Sequence, residues 1–170
     1  MPRQSSASPA GRRSTSILSW RRSIPAVAVC ALLISGGMAV APSALADSVS
    51  RLQDAMATAR AGTSCQPLNY NPVVGKAAAI INRSTDDYID HISTYQPITD
   101  PMPGLKDLGY GGNKAALLQG GLSNEADAIK GALLQGHAAI SDCSYTDLGM
   151  DVRRNEATDN LLVVYLLAGA

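Results

Sequence analysis

The chain has 170 residues, 46% of them hydrophobic and 16% charged, with 14 basic residues offset by 14 acidic ones. That length suits one compact domain and little more, and a balanced charge without a basic run argues against a nucleic-acid partner. The chain has two histidines, and two alone fall short of the three or four ligands that zinc takes.

Residues 1–46 read as a secretory signal peptide. Arg3, Arg12, Arg13, Arg21 and Arg22 form a basic leader, Ile24 to Val40 is apolar around Gly36-Gly37, and Ala44-Leu45-Ala46 offers small residues for cleavage ahead of Asp47. The alternative is a retained membrane anchor, but the apolar run sits near the lower limit for a span. The two arginine pairs leave twin-arginine export open beside the general route. Cys30 follows Val29 rather than a small residue, so it reads as an ordinary apolar position and not a lipidation site.

Removing 46 of the 170 residues leaves 124, and five basic residues leave with no acidic one, so the mature balance is −5. The single Trp, Trp20, also goes. Cys65 and Cys143 remain, an even count in an exported domain, which points to a disulfide rather than a pair of free thiols. The closed loop would be worth at most about 4 kcal/mol by chain entropy. The mature chain is expected to be secreted, with no stable membrane span and no cofactor.

In that mature chain, Ser48 to Ala61 has the helical spacing Leu52, Met56, Ala59, ended by Gly62. Thr63 to Asn71 is a loop. Pro72 suits the first turn of a second helix, whose stripe is Val74, Ala77, Ala78, Ile81 and Tyr88, with His91 continuing the same face. Tyr95 to Gly112 is an irregular, Pro- and Gly-rich loop with one turn around Leu105 to Leu108. Ala115 to Leu118 is a short buried strand. Ser123 or Asn124 caps a third helix running to Gln135, with Glu125 and Asp127 in its first turn. Gly136 ends it and His137 follows. Leu148, Met150 and Val152 alternate as a strand, Arg153 to Asn160 is a turn, and Leu161 to Leu167 is a strand buried on both faces. A small, mainly antiparallel sheet covered by helices on both sides is a three-layer α/β/α sandwich.

Chemistry-bearing groups are few. No Ser-His-Asp spacing, phosphate loop or paired-histidine helix motif is visible. His91 and His137 either converge on a cleft, as metal ligands or acid–base groups, or each packs at a helix end. Asp86, Asp87 and Asp90 resemble half a calcium site but lack the turn glycine and alternating donors, so a solvated helix face is the plainer reading. Tyr88, Tyr95, Tyr110 and Tyr145 either line a groove or sit at the edge of the core.

The order of these pieces resembles the CAP superfamily of cysteine-rich secretory and pathogenesis-related proteins. The helix ending Ala59-Arg60-Ala61 before Cys65-Gln66-Pro67-Leu68-Asn69-Tyr70 is similar to the family's opening. His91-Ile92-Ser93 resembles its His-x-Ser, Gly136-His137 its Gly-His, and Tyr145-Thr146-Asp147-Leu148-Gly149-Met150 its Tyr-Thr-x-Ile-Gly-Val strand. The resemblance implies a CAP-like sandwich over 47–170, with Cys65 lying against Cys143. It also implies that His91 and His137 face one depression, with Ser93 and Tyr145 as further cleft or ligand residues. The family's two acidic cleft residues would fall near Lys114-Ala115-Ala116 and Leu134, where this chain has none. No metal is therefore expected, His91 and His137 being the only ligands offered. The function implied is a secreted, non-catalytic binding or interaction module for a lipid, an apolar ligand or another envelope component. The alternative is a hydrolase of cell-wall or peptide material acting through His91 and His137.

Overall fold

The computed structural model describes residues 43–170, with side chains from Asp47 onward; the expected leader lies almost wholly outside the described residues. Helix α1 (Ser43–Ala61) is followed by a two-residue strand β1 (Asn69–Tyr70) and helix α2 (Pro72–Ile89). After a long loop come the short helix α3 (Met102–Asp107), strand β2 (Lys114–Leu122), helix α4 (Glu125–Gln135) and the single turn α5 (His137–Ile140). Strands β3 (Tyr145–Asn155) and β4 (Asn160–Gly169) close the chain as a hairpin.

The four strands form one sheet in the order β1-β3-β4-β2, parallel between β1 and β3 and antiparallel elsewhere. Alternation along β4 sorts the two faces. Leu161, Val163, Tyr165 and Leu167 join Leu52 and Met56 of α1, Ala128 and Ala132 of α4 and Ile140 of α5. Val164, Leu166 and Ala168 join Val74, Ala77, Ala78 and Ile81 of α2, with Leu105 of α3. The molecule is thus the expected three-layer sandwich: α2 on one side of the sheet, α1, α4 and α5 on the other. The continuous apolar run of β4 is buried on both faces, as a central strand requires.

Helices α2 and α4 start where local chemistry says they should. Asn71 caps α2, its Oδ1 accepting from the Val73 and Val74 amides, with Pro72 in the first turn. Asn124 caps α4 through the Asp127 amide. Two glycines set how closely helices approach the sheet. A Cβ on Gly149 of β3 would strike the α2 backbone at Val74, and one on Gly120 of β2 would strike the α4 carbonyl of Ala128. Gly120 also explains why β2 extends beyond the expected Ala115 to Leu118. The Gln119-Gly120-Gly121 stretch has little apolar patterning, yet it pairs with Leu162 to Val164 because a glycine there lets α4 sit down on it.

Three further differences have local causes. Strand β1 is too short to show periodicity; its existence depends on pairing with Asp147 and Leu148. Strand β3 runs through Arg153 and Arg154 to Asn155 instead of stopping at Val152. Arg154 bonds Asp159 across the hairpin and Arg153 pairs with Asp86 at 3.6 Å, so the charges are accommodated within the strand. The acidic group Asp86, Asp87 and Asp90 is not a plain solvated face. The fully buried Asn155 donates from Nδ2 to Asp86 (2.9 Å) and Asp90 (2.7 Å), tying the end of α2 to the β3–β4 hairpin, while Asp87 lies 3.7 Å from Arg83.

Cys65 and Cys143 form a disulfide, joining the loop after α1 to the segment before β3. Beside it, the Arg60 guanidinium donates to the carbonyls of Gln66, Ile140, Asp142 and Tyr145. Covalent and hydrogen-bonded ties therefore act on one junction between the first helix and the last hairpin. Among the described residues, no helix is long and apolar enough to cross a membrane.

Candidate functional site

His91 does not continue the apolar face of α2. The helix ends at Ile89, Asp90 is its C-cap, and His91 adopts a left-handed backbone with φ 57°. The His91 amide donates to the Tyr88 carbonyl and the Ile92 amide to that of Asp87. This is a Schellman turn with histidine where glycine is usual. Ser93 completes the next turn, its Oγ accepting from the Tyr95 amide at 3.1 Å.

His137 begins α5 on the other side of the sheet. It lines an apolar depression of about 390 Å³ with Ala59, Ile129, Leu133, Leu134 and Ile140. Tyr145, by contrast, is buried in the α1–α4 core, with the Lys114 ammonium 4.5 Å from its ring. The four site residues expected from the resemblance thus separate into two groups: His91 and Ser93 follow α2, while His137 and Tyr145 belong to the opposite layer. No described pocket is lined by both histidines, and no cluster of three or more His, Cys, Asp or Glu side chains with metal-holding geometry occurs among the described residues. The tyrosines divide similarly. Tyr88 and Tyr95 are exposed, whereas Tyr110 packs under α2 and donates to Asp147 at 2.6 Å. Burial and that carboxylate push the Tyr110 hydroxyl pKa upward.

Two further concave sites among the described residues bear on function. The first is a partly enclosed pocket of about 330 Å³ between the last turns of α1 and the β1–β3 edge. Met56, Ala57, Pro67, Leu68, Leu148 and Met150 give it apolar walls, with Gln53 and Tyr70 as polar groups and the disulfide at one side. Arg60 also touches it, but its donors are engaged by the four carbonyls named above. The second is a broader cleft of about 570 Å³ on the α2 side, between the C-terminal half of α2, the loop after it, and the facing ends of β2 and β4. Sequence periodicity could not find either one, because each is assembled from residues on three or more elements.

No family model matches the sequence, and no curated protein matches it. Solved structures do match. An outer surface protein from Borrelia burgdorferi superposes with a TM-score of 0.58 at 13% identity, over 72% of this chain and 92% of that one. A cysteine-rich secretory protein from Staphylococcus aureus gives a TM-score of 0.57 at 14% identity, over 76% of this chain and 40% of that one. The fold is CAP-like. An extracellular protein from Bacillus anthracis containing an SCP domain agrees, with a TM-score of 0.52 at 14% identity over 77% of this chain and 44% of that one. This chain therefore spans less than half the length of the staphylococcal and bacillus proteins. On the CAP-like frame, the positions near which the family's acids are expected hold Ala115, packed under α2, and Leu134, which is exposed beside His137.

Proposed function

We propose that the chain is an exported, non-catalytic CAP-like module that carries an apolar ligand. The observation that supports this is the partly enclosed pocket beside α1. Its volume of about 330 Å³ falls in the range of small-molecule sites, and its lining of apolar side chains with a few polar groups matches their usual composition. Export is supported by the basic, apolar and small-residue order of residues 1–46 and by the outer-surface, secretory and extracellular descriptions of the structural neighbours. A hydrolase using both histidines needs them within reach of one substrate, and their placement on opposite layers gives no support to that reading.

The test is to purify the exported protein from its native host, extract it with organic solvent and identify the extract by mass spectrometry. An apolar species near one equivalent per chain is expected, and an Ala57→Trp variant, which crowds the pocket, should lose it. An extract indistinguishable from that of a buffer control, or one unchanged by the variant, overturns the proposal.

A further inference from the structure

The cleft on the α2 side also has apolar walls, but its polar groups differ from those of the first pocket. Its polar lining consists of amides and hydroxyls, including Asn82, Thr85, Gln96, Gln119 and Asn160, and no charged side chain contributes. Gln119 Nε2 reaches Thr85 Oγ1 at 3.4 Å, so β2 and α2 present their polar groups together. Tyr88 also lines the cleft and is 42% exposed. Ile92 and Tyr95 stand exposed on the loop that supplies another wall.

Asn82 forms part of the same wall. It is 1% exposed and lines this cleft. Its Nδ2 donates to the Leu162 carbonyl at 3.0 Å and to Asp151 Oδ2 at 2.8 Å, which fixes the amide orientation, because a flipped amide would set its oxygen against two acceptors. The Oδ1 is then left with no donor. A buried acceptor without a partner is costly, and native structures seldom leave one unexplained. That oxygen is itself shielded from solvent, so a molecule in the cleft does not reach it without displacing a neighbour.

We infer that this cleft binds a neutral, polyhydroxylated chain: a short oligosaccharide segment, seated against the exposed Tyr88 ring, with its hydroxyls hydrogen-bonded to the Gln96, Gln119 and Asn160 amides that line the cleft. Uncharged amides and hydroxyls complement sugar hydroxyls, which both donate and accept. The tyrosine offers an apolar face to the C–H face of a pyranose while its own hydroxyl stays in water. The absence of charge in the lining disfavours an anionic or cationic ligand, whose desolvation nothing there would offset. This site does not depend on the apolar-pocket reading, since the two lie on opposite faces of the sheet and either can fail alone.

Titration of the ¹⁵N-labelled mature chain with cellotetraose and, separately, with chitotetraose tests the assignment by NMR. The expected result is saturable shifts at the side-chain amides of Asn82 and Gln119 and the backbone amides of Gly120 and Gly121, with a Kd on the order of 1 mM or tighter. Tyr88→Ala and Gln119→Ala, both away from the packed core, should each weaken binding about tenfold while leaving the rest of the spectrum in place. Shifts with chitotetraose alone support the same site with the acetamido group as part of what is recognised. No saturable shift with either sugar overturns the proposal, as does binding that both variants leave unchanged.

Discussion

Replacing Arg60 with Met should be among the most damaging single changes in the domain. Arg60 is 3% exposed and donates to four carbonyls: Gln66 at 3.0 Å, Ile140 at 2.5 Å, Asp142 at 3.1 Å and Tyr145 at 2.7 Å. Burial lowers the guanidinium pKa, and Asp142 partly opposes that shift; an arginine nevertheless stays charged. Methionine keeps the aliphatic stem, so the loss is chiefly polar. Two of the four bonds, to Ile140 and Tyr145, are buried, and each orphaned carbonyl costs about 1–3 kcal/mol. The outer two carbonyls can turn to water and contribute little. The expected loss is therefore about 4 kcal/mol, or about 15 °C in Tm for a domain of this size. Guanidinium chloride unfolding followed by circular dichroism, with an unchanged m-value, reads it directly. Arg60→Lys restores charge but offers only a compact donor group, so it should recover less than half. A loss under about 1 kcal/mol for Arg60→Met would refute the reasoning, because it would mean that those carbonyls find other donors at no cost.

Other consequences follow from the same structure. Non-reducing peptide mapping should recover Cys65 linked to Cys143, and replacing both with Ala should cost about 2–4 kcal/mol; two alkylatable thiols in the native protein would contradict the bond. His91→Gly should stabilise the domain by about 0.5–1 kcal/mol, since glycine occupies a left-handed turn without strain, and a loss of stability in thermal unfolding would show that the imidazole has a structural partner. The half-buried Asp151 has its pKa raised by burial, so its favourable contribution is complete below its ordinary value of 3.8 and is lost as pH rises through the folded value. Asp151→Asn, which keeps an acceptor for Asn82, should therefore be at least as stable as wild type at neutral pH, with the difference shrinking on acidification toward pH ~4; a variant less stable at neutral pH would contradict that sign. If residues 1–46 are a signal peptide, terminal sequencing of exported protein should start at Asp47; a chain starting near Met1 in the membrane fraction would contradict it.

Much of the fold was legible because its signals are local or periodic. The Leu52–Met56 spacing, the Asn71-Pro72 start, the Asn124 cap and the unbroken Leu161–Leu167 run each report on their own segment, and each is where the structure uses it. What escaped was set by partners distant in sequence. Asn69–Tyr70 is a strand only because Asp147 and Leu148 lie beside it. Arg153 and Arg154 belong to a strand only because Asp86 and Asp159 receive them. Asp86 and Asp90 read as solvated until Asn155, 65 or more residues away, reaches them.

The site was harder to read than the fold, and the histidines show why. The i+3 spacing from Tyr88 places His91 on the apolar face of α2 only if the helix continues. It does not, and nothing in Asp90-His91-Ile92 announces the stop, because the usual signal, glycine at the left-handed position, is missing. Gly136 before His137 does read as a stop, and α4 ends at Gln135 as expected, although Gly136 itself keeps a φ of −90°. A motif match carries both histidines together, but which layer each belongs to follows from the alternation of β4, where Val163 faces α1 and α4 while Val164 faces α2. One residue of register decides the face. Neither concave site could have been drawn before that register was known: the apolar pocket needs Leu148 and Met150 of β3 on the α1 side, and the polar cleft needs Gln119 of β2 on the other.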